Sequence, residues 1–330
     1  MKIIAFNVRP DEIESFETYS KQFNHDVDIQ SNLFGPHNAH LAEGYEAVCI
    51  LGNCKANAEA LEKIANLGVK YLATRSAGFN NIDLEAAKKW RIRVSNVPAY
   101  SPNSVAEFTV GVTLCIIRNI KKALHRVDRH HFGLGGLLGT ELRNQTIGFV
   151  GTGRIGLSTI KAFSGFGARL IGYDVVVNNE AKAYIEYRSL KSVLRDSNII
   201  SLHCPLTEDN YHLINEETIS TMKDGVVIIN TARGGLINTD HAIDGIKSGR
   251  IGGLGLDTYE HEVGVFHNNL ENDILPDGKL AELISMQNVF VTPHYGFYTD
   301  EAVANMVEYA LENLYDYEAK HYCKNELAIK

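Results

Sequence analysis

Through the first hundred residues, short β-branched and aliphatic runs alternate with stretches whose apolar residues recur at helical spacing. The runs are "KIIAF", "VDIQ", "AVCIL", "VKYLAT" and "IRVSNV", with helical segments such as "NAEALEKIANLG" between them. Alternating strand and helix patterns predict a parallel sheet with helices on both faces. Tyr100-Ser101-Pro102-Asn103 breaks the alternation. The spacing beyond it predicts one long helix over "SVAEFTVGVTLCIIRNIKKAL", capped by Ser101 or Asn103 and crossing between two domains. "HHFGLGGLLGTEL" is Gly-rich without being strongly polar, so it reads as an ordered arm whose leucines pack on a second subunit.

A second strand and helix series begins at "QTIGFVGTGRIGLSTIKAF". It runs on through "RLIGYD", "NIISLHCP", "GVVIINTARGG", "GGLGLDTY" and "NVFVTP". A final helix, "DEAVANMVEYALENLYDYEAK", follows and is expected to return to the first domain. The second series is then an insertion: residues 1–100 and 299–330 form one domain and 101–298 the other.

With 330 residues the chain has room for two such cores. No apolar run approaches the roughly 20 residues of a membrane helix. The opening "MKIIAFNVRPDE" reads as a first strand and not a signal peptide, so a cytoplasmic protein is expected. A formal net charge of −8 argues against general affinity for nucleic acid or anionic membranes. The five cysteines contain no C-x-x-C pair, so neither a disulfide framework nor a metal site is expected, and the thiols read as free and buried.

Candidate chemistry starts at "GFVGTGRIGLSTI", where Gly151, Gly153 and Gly156 match G-x-G-x-x-G directly after an apolar strand and before a helical pattern. The first glycine permits a tight turn, the second lets the backbone approach a pyrophosphate, and the third allows close packing of helix on strand. Phosphates then meet free N–H groups at a helix N-terminus. Asp174, at the end of "ARLIGYD", is placed to take ribose hydroxyls and to repel a 2′-phosphate, which favours NAD over NADP.

A dinucleotide site fixes a cofactor and not a reaction. Three later strand ends carry unusual charge: Arg233 follows "GVVIINTA", Asp257, Glu260 and Glu262 follow "GLGL", and His294 follows "NVFVTP". Reduction of a ketone needs a proton donor and a means of holding the substrate. Histidine titrates near neutrality and suits the first task, with Glu262 as a carboxylate partner that favours the imidazolium. Arginine suits the second, since its planar fork pairs with a 2-oxo carboxylate and stabilises charge on the adjacent oxygen.

With these residues in view, the chain resembles the D-isomer-specific 2-hydroxyacid dehydrogenases, in the branch with D-lactate, D-2-hydroxyisocaproate, phenyllactate and (R)-2-hydroxyglutarate dehydrogenases. The likeness rests on "VPAYSPNSVAEFTVG", "GFVGTGRIG", "MKDGVVIINTARGGLIN", "LDTYEHEVGVF" and "VTPHYGFYTDEAV" and spans essentially the whole chain. It implies two Rossmann-like α/β domains, a flavodoxin-like substrate domain with an inserted NAD-binding domain, in a homodimer. It further implies Arg233 as the residue that binds and polarises the substrate, Glu262 as partner of the acid/base, and His294 as the acid/base, with aromatic neighbours enclosing the substrate. Ala77 and Gly78 would offer backbone N–H groups to the substrate carboxylate, and Tyr100 would face the same ligand. Cofactor contacts would include Val105, Arg154, Ile155, Asp174, His203, Pro205, Thr231, Ala232 and, near the nicotinamide, Asp257. His203 would lie beside the adenine half and take no part in chemistry.

The resemblance also bears on the substrate. Leu51, Phe79, Tyr100 and Tyr298 would form its side-chain wall, and Leu51 stands where the 2-hydroxyglutarate enzymes carry an arginine. An apolar residue there leaves a second carboxylate unpaired. Pyruvate, phenylpyruvate and 4-methyl-2-oxopentanoate fit the expectation, with a tilt toward bulky apolar side chains. Two other readings share the architecture: a phosphoglycerate or hydroxypyruvate reductase, and an NAD-sensing protein like the family's corepressors.

Overall fold

The computed structural model describes residues 1–327; the expectation that residues 328–330 join the first domain lies outside the described residues. The chain divides into two compact units, one formed by Met1–Ser101 with the described residues from Tyr298 onward, the other by Pro102–Phe297. The dividing lines fall one residue from the expected ones, so Ser101 and Tyr298 go with the first unit.

In the first unit, strands β1 (Lys2–Ala5), β2 (Asp26–Ile29), β3 (Ala47–Ile50), β4 (Tyr71–Thr74) and β5 (Arg93–Ser95) form a parallel sheet in the order β2-β1-β3-β4-β5. This is the flavodoxin-like order, with its switch point between β1 and β3. All four residues of central β3 are buried, while edge strand β2 is largely exposed and guarded by Asp26 and Asp28. The two-residue alternation along β1 decides where the chain's last helix goes. Ile4 faces a core that includes Val48, Leu61 and Leu72, whereas Ile3 and Ala5 face Val307, Leu311 and Leu314 of helix Asp300–Lys320.

In the second unit, β6 (Thr146–Val150), β7 (Arg169–Tyr173), β8 (Glu186–Tyr187), β9 (Ile199–Leu202), β10 (Val226–Asn230), β11 (Ile251–Leu256) and β12 (Val289–Val291) form a seven-stranded sheet in the order β12-β11-β10-β9-β6-β7-β8. Every pairing is parallel. Counted from β6, the order is 3-2-1-4-5-6 with a seventh strand beside the sixth, the dinucleotide-binding arrangement. Strand β8 went unanticipated because two residues are too short to carry an alternating pattern.

Two expectations need correction. The long helix is two helices, Pro102–Ile117 and Ile120–Val127, because Asn119 adopts a left-handed conformation (φ 55°) and its side chain donates to the Leu138 carbonyl. Its start at Pro102 puts Ser101, and not Asn103, in the capping position, with proline in the first turn where its missing N–H costs nothing. Of the five free thiols only Cys49, Cys54 and Cys323 are buried; Cys115 and Cys204 are partly exposed. Among the described residues no helix is long and apolar enough to cross a membrane, and no His, Cys, Asp and Glu cluster could hold a metal ion.

Candidate active site and cofactor cradle

The three glycines of the fingerprint play three different parts. Gly151 turns with φ +97°, and a Cβ there would lie 2.6 Å from Cys204 N and from the His203 carbonyl carbon. A Cβ on Gly156 would lie 2.2 Å from the Gly151 oxygen, so only glycine lets the helix sit against the strand. At Gly153 a Cβ would meet nothing within 4 Å, and no side chain caps helix Arg154–Ser164 at that end. An open helix N-terminus under a bare backbone is what a dinucleotide's pyrophosphate requires. Asp174, at the end of β7, accepts from the Thr152 N–H (2.5 Å) and Oγ1 (3.1 Å) on one oxygen and from the Val176 N–H (3.2 Å) on the other. The residues present therefore fit NAD.

Around this cradle, Val105 is buried on helix Pro102–Ile117, and Thr231 Oγ1 lies 3.0 Å from Thr109 Oγ1 on the same helix. Arg154 and Pro205 are exposed, while Ile155 and Ala232 are half-buried. His203 Nε2 pairs with Ser201 Oγ at 2.8 Å, its ring stacks on Phe149, and burial pushes its pKa down to about 3. It is neutral at physiological pH and therefore unsuited to donate a proton.

The charged residues gather at the C-terminal ends of β10, β11 and β12. Arg233 follows β10 with an exposed side chain, whose one hydrogen bond among the described residues runs from Nη1 to the Ala232 carbonyl at 2.7 Å. Behind it, Gly234 is wedged against the next loop: a Cβ there would fall 2.1 Å from the Tyr259 carbonyl carbon and 2.4 Å from Glu260 N. Glu260 accepts from Thr239 N and Oγ1 and pairs with His212 Nε2 at 2.5 Å. It is thereby committed to tying loops together.

His294 Nδ1 lies 2.9 Å from Glu262 Oε1, and the other Glu262 oxygen accepts the Tyr259 N–H at 2.9 Å. Burial works to raise the Glu262 carboxyl, but the hydrogen bond and charge of His294 and the Tyr259 N–H outweigh it and hold the group below the usual carboxylate range. The stabilisation that the lowered Glu262 pKa itself represents is present above the usual carboxylate range and is lost as pH falls through the lowered value. His294 has a left-handed backbone (φ 54°), sparsely populated by such residues. Asp257, only 3% exposed, braces the turn: one oxygen accepts from Thr292 Oγ1 (2.7 Å) and Tyr295 N (3.0 Å), the other from Gly296 N (3.0 Å). The Tyr295 ring packs edge-on to Phe108.

In the first unit, Leu51 is buried directly after β3, Phe79 is exposed beyond β4, and Tyr100 is half-buried. The Ala77 and Gly78 carbonyls accept from Asn96 Nδ2 (2.8 Å) and Ser76 Oγ (2.7 Å), while neither residue's N–H has a partner among the described residues. Arg75, fully buried, ties this loop to the one after β1 by donating to Glu12 Oε1 at 2.9 Å and to the Phe6 and Asn7 carbonyls. Tyr298 lies under the Arg9 guanidinium, 5.0 Å from ring centre to Cζ, and burial with a hydrogen bond to Asp11 raises its pKa.

Residues 110–296 match the family model described as the D-isomer specific 2-hydroxyacid dehydrogenase, NAD binding domain. An aromatic 2-oxoacid reductase of Clostridium sporogenes is 58% identical over the full length of both chains. The chain belongs to the D-isomer-specific 2-hydroxyacid dehydrogenases. It is an NAD-dependent enzyme of that family, with a small 2-oxo or 2-hydroxy acid as substrate. Another relative is the D-lactate dehydrogenase of Escherichia coli, 38% identical over 99% of this chain and all of that one. The solved D-2-hydroxyisocaproate dehydrogenase superposes with a TM-score of 0.93 at 38% identity, covering 99% of each chain.

Several side chains of this dehydrogenase that shape the site went unsingled by sequence: Thr292, Arg75 with Glu12, Arg9 with Asp11, and His267. Thr292 had a signal, since it stands two residues before His294 at a strand end. Arg75 and Glu12 are far apart in sequence, as are His267 and His294, and Arg9 and Asp11 lie far from Tyr298, so only the fold brings them together.

Proposed function

We propose that the chain reduces bulky apolar 2-oxo acids, aromatic ones foremost, to (R)-2-hydroxy acids with NADH, and that His294 is the proton donor. The observation that carries this reading is the 2.9 Å pair between His294 Nδ1 and Glu262, which leaves Nε2 for the substrate oxygen. NADH, when bound, supplies the hydride. Gly151, Gly153 and Gly156 would cradle its pyrophosphate, Asp174 its ribose, and Val105, Arg154, Ile155, His203, Pro205, Thr231, Ala232 and Asp257 would line its path. Arg233 would grip the substrate carboxylate and polarise the ketone. In the first unit, the free N–H groups of Ala77 and Gly78 suit the same carboxylate, while Leu51, Phe79, Tyr100 and Tyr298 suit an apolar side chain.

Leu51 supports the substrate class, because a buried leucine gives a second carboxylate nothing to pair with. The name of the Clostridium relative points the same way. Initial rates of NADH oxidation should give phenylpyruvate and 4-methyl-2-oxopentanoate a kcat/KM about tenfold or more above pyruvate, with 2-oxoglutarate last. A preference for pyruvate or 2-oxoglutarate would overturn the assignment of the wall.

Helix Ile120–Val127 buries none of its residues, and Leu124, Phe132, Leu134 and Leu138 near it are 61–95% exposed. Apolar surface of this extent fits a second copy of the chain, so the enzyme is read as a homodimer. Light scattering should return about twice the 36.6 kDa chain mass; a monomer at micromolar concentration would refute it. NAD-linked turnover also suits a protein kept in the cytoplasm.

A further inference from the structure

Between β11 and helix Gly278–Ser285 the chain has no long regular element, yet its first part is firmly set. The Val265 and Phe266 N–H groups both donate to the Glu262 carbonyl at 3.0 Å, Gly264 supplies the positive φ of the turn, and Val265 and Phe266 pack on the core of the second unit. Anchoring Phe266 fixes where the next residue points. His267 lies with Nε2 3.0 Å from the His294 carbonyl oxygen and its ring 6.0 Å from the His294 ring. A carbonyl only accepts, so His267 Nε2 carries the proton in this contact.

We propose that His267 is a positioning residue for the acid/base. His294 holds a left-handed backbone, a conformation that persists only where neighbours over-determine it. Asp257 fixes the turn from one side, through Thr292, Tyr295 and Gly296, and by accepting from the Tyr295 N–H it holds the nitrogen end of the peptide whose oxygen end is the His294 carbonyl. His267 supplies the hold on the oxygen end of that peptide, so that both of its hydrogen-bonding ends are fixed. Its charge also reaches Glu262 and adds to the influences that keep that carboxylate ionised. Glu262 and His267 therefore grip His294 from one short turn, the first by its ring and the second by its backbone. Losing His267 should loosen the imbalance-sensitive step, proton delivery, and leave cofactor binding alone.

The inference rests on His294 as the acid/base, and the experiment separates the two ideas. His267→Leu, His267→Gln and His294→Gln are compared with the parent enzyme for kcat, KM for phenylpyruvate, and NADH affinity by fluorescence. The exposed position of His267 lets both substitutions fold. His267→Leu should lose about fivefold in kcat with NADH affinity within about twofold, and His267→Gln should recover most of it by keeping an N–H donor. His267→Leu at full kcat, or Gln no better than Leu, overturns the positioning role while an inactive His294→Gln leaves the acid/base standing. An active His294→Gln overturns the acid/base reading itself.

Discussion

His294→Gln should lose about 10²- to 10⁴-fold in kcat while binding NADH as before. Glutamine keeps much of the size and can still hydrogen-bond to Glu262, but it holds no proton that it can release near neutrality. The loss should therefore appear in the chemical step. The pairing of Nδ1 with Glu262 makes the prediction sharp, because that contact fixes the ring and sets which nitrogen faces outward. Glu262 stays ionised well into the acid range, so the brace persists throughout the working pH of an enzyme of this kind. The checks are kcat at saturating oxo acid and NADH affinity by fluorescence. A loss smaller than about tenfold would mean that the proton comes from elsewhere, and His203, neutral and enclosed, is a poor substitute.

Arg233→Gln should cost about 10²- to 10³-fold in kcat/KM, divided between a raised KM and a lowered kcat. The division follows from the two tasks proposed for this one side chain: holding the carboxylate in the ground state and stabilising charge on the ketone oxygen as it develops. Among the described residues its guanidinium spends one N–H on its neighbour's carbonyl, and the rest have no hydrogen-bond partner. Arg233→Lys should recover only part of the loss, since a point charge cannot reproduce a planar two-bond grip. Full activity in the lysine variant would refute bidentate recognition, and a change in NADH affinity matching the loss would move Arg233 to the cofactor.

Much of this was legible in the chain itself. Both sheets, the return of the final helix and the glycine fingerprint are local patterns, carried by two-residue alternation, helical spacing and fixed offsets. The family follows from the motifs as well. What stayed hidden depended on tertiary partners: Asn119 ends a helix whose apolar spacing continues past it, because its backbone turns left-handed and its side chain finds Leu138. Glu260 and Glu262 are two residues apart and look interchangeable in sequence; the fold gives one to Thr239 and His212 and the other to His294. Asp257 was expected beside the nicotinamide, and its oxygens prove occupied with the turn that carries His294. His267 drew no notice because an exposed histidine in an irregular segment has no pattern at all.

The wedge at Gly234 has a consequence for how such an enzyme can change. Gly234, the neighbour of Arg233, and the loop leading to Glu262 touch backbone to backbone, with no room for even a methyl group. Neither can be moved without dragging the other, so the segments that carry Arg233 and Glu262 form a single block. Leu51, Phe79 and Tyr298 belong to the first unit and take no part in that backbone contact. Under the roles proposed here, new substrate preferences arise by changing those three positions while the chemistry is passed on intact.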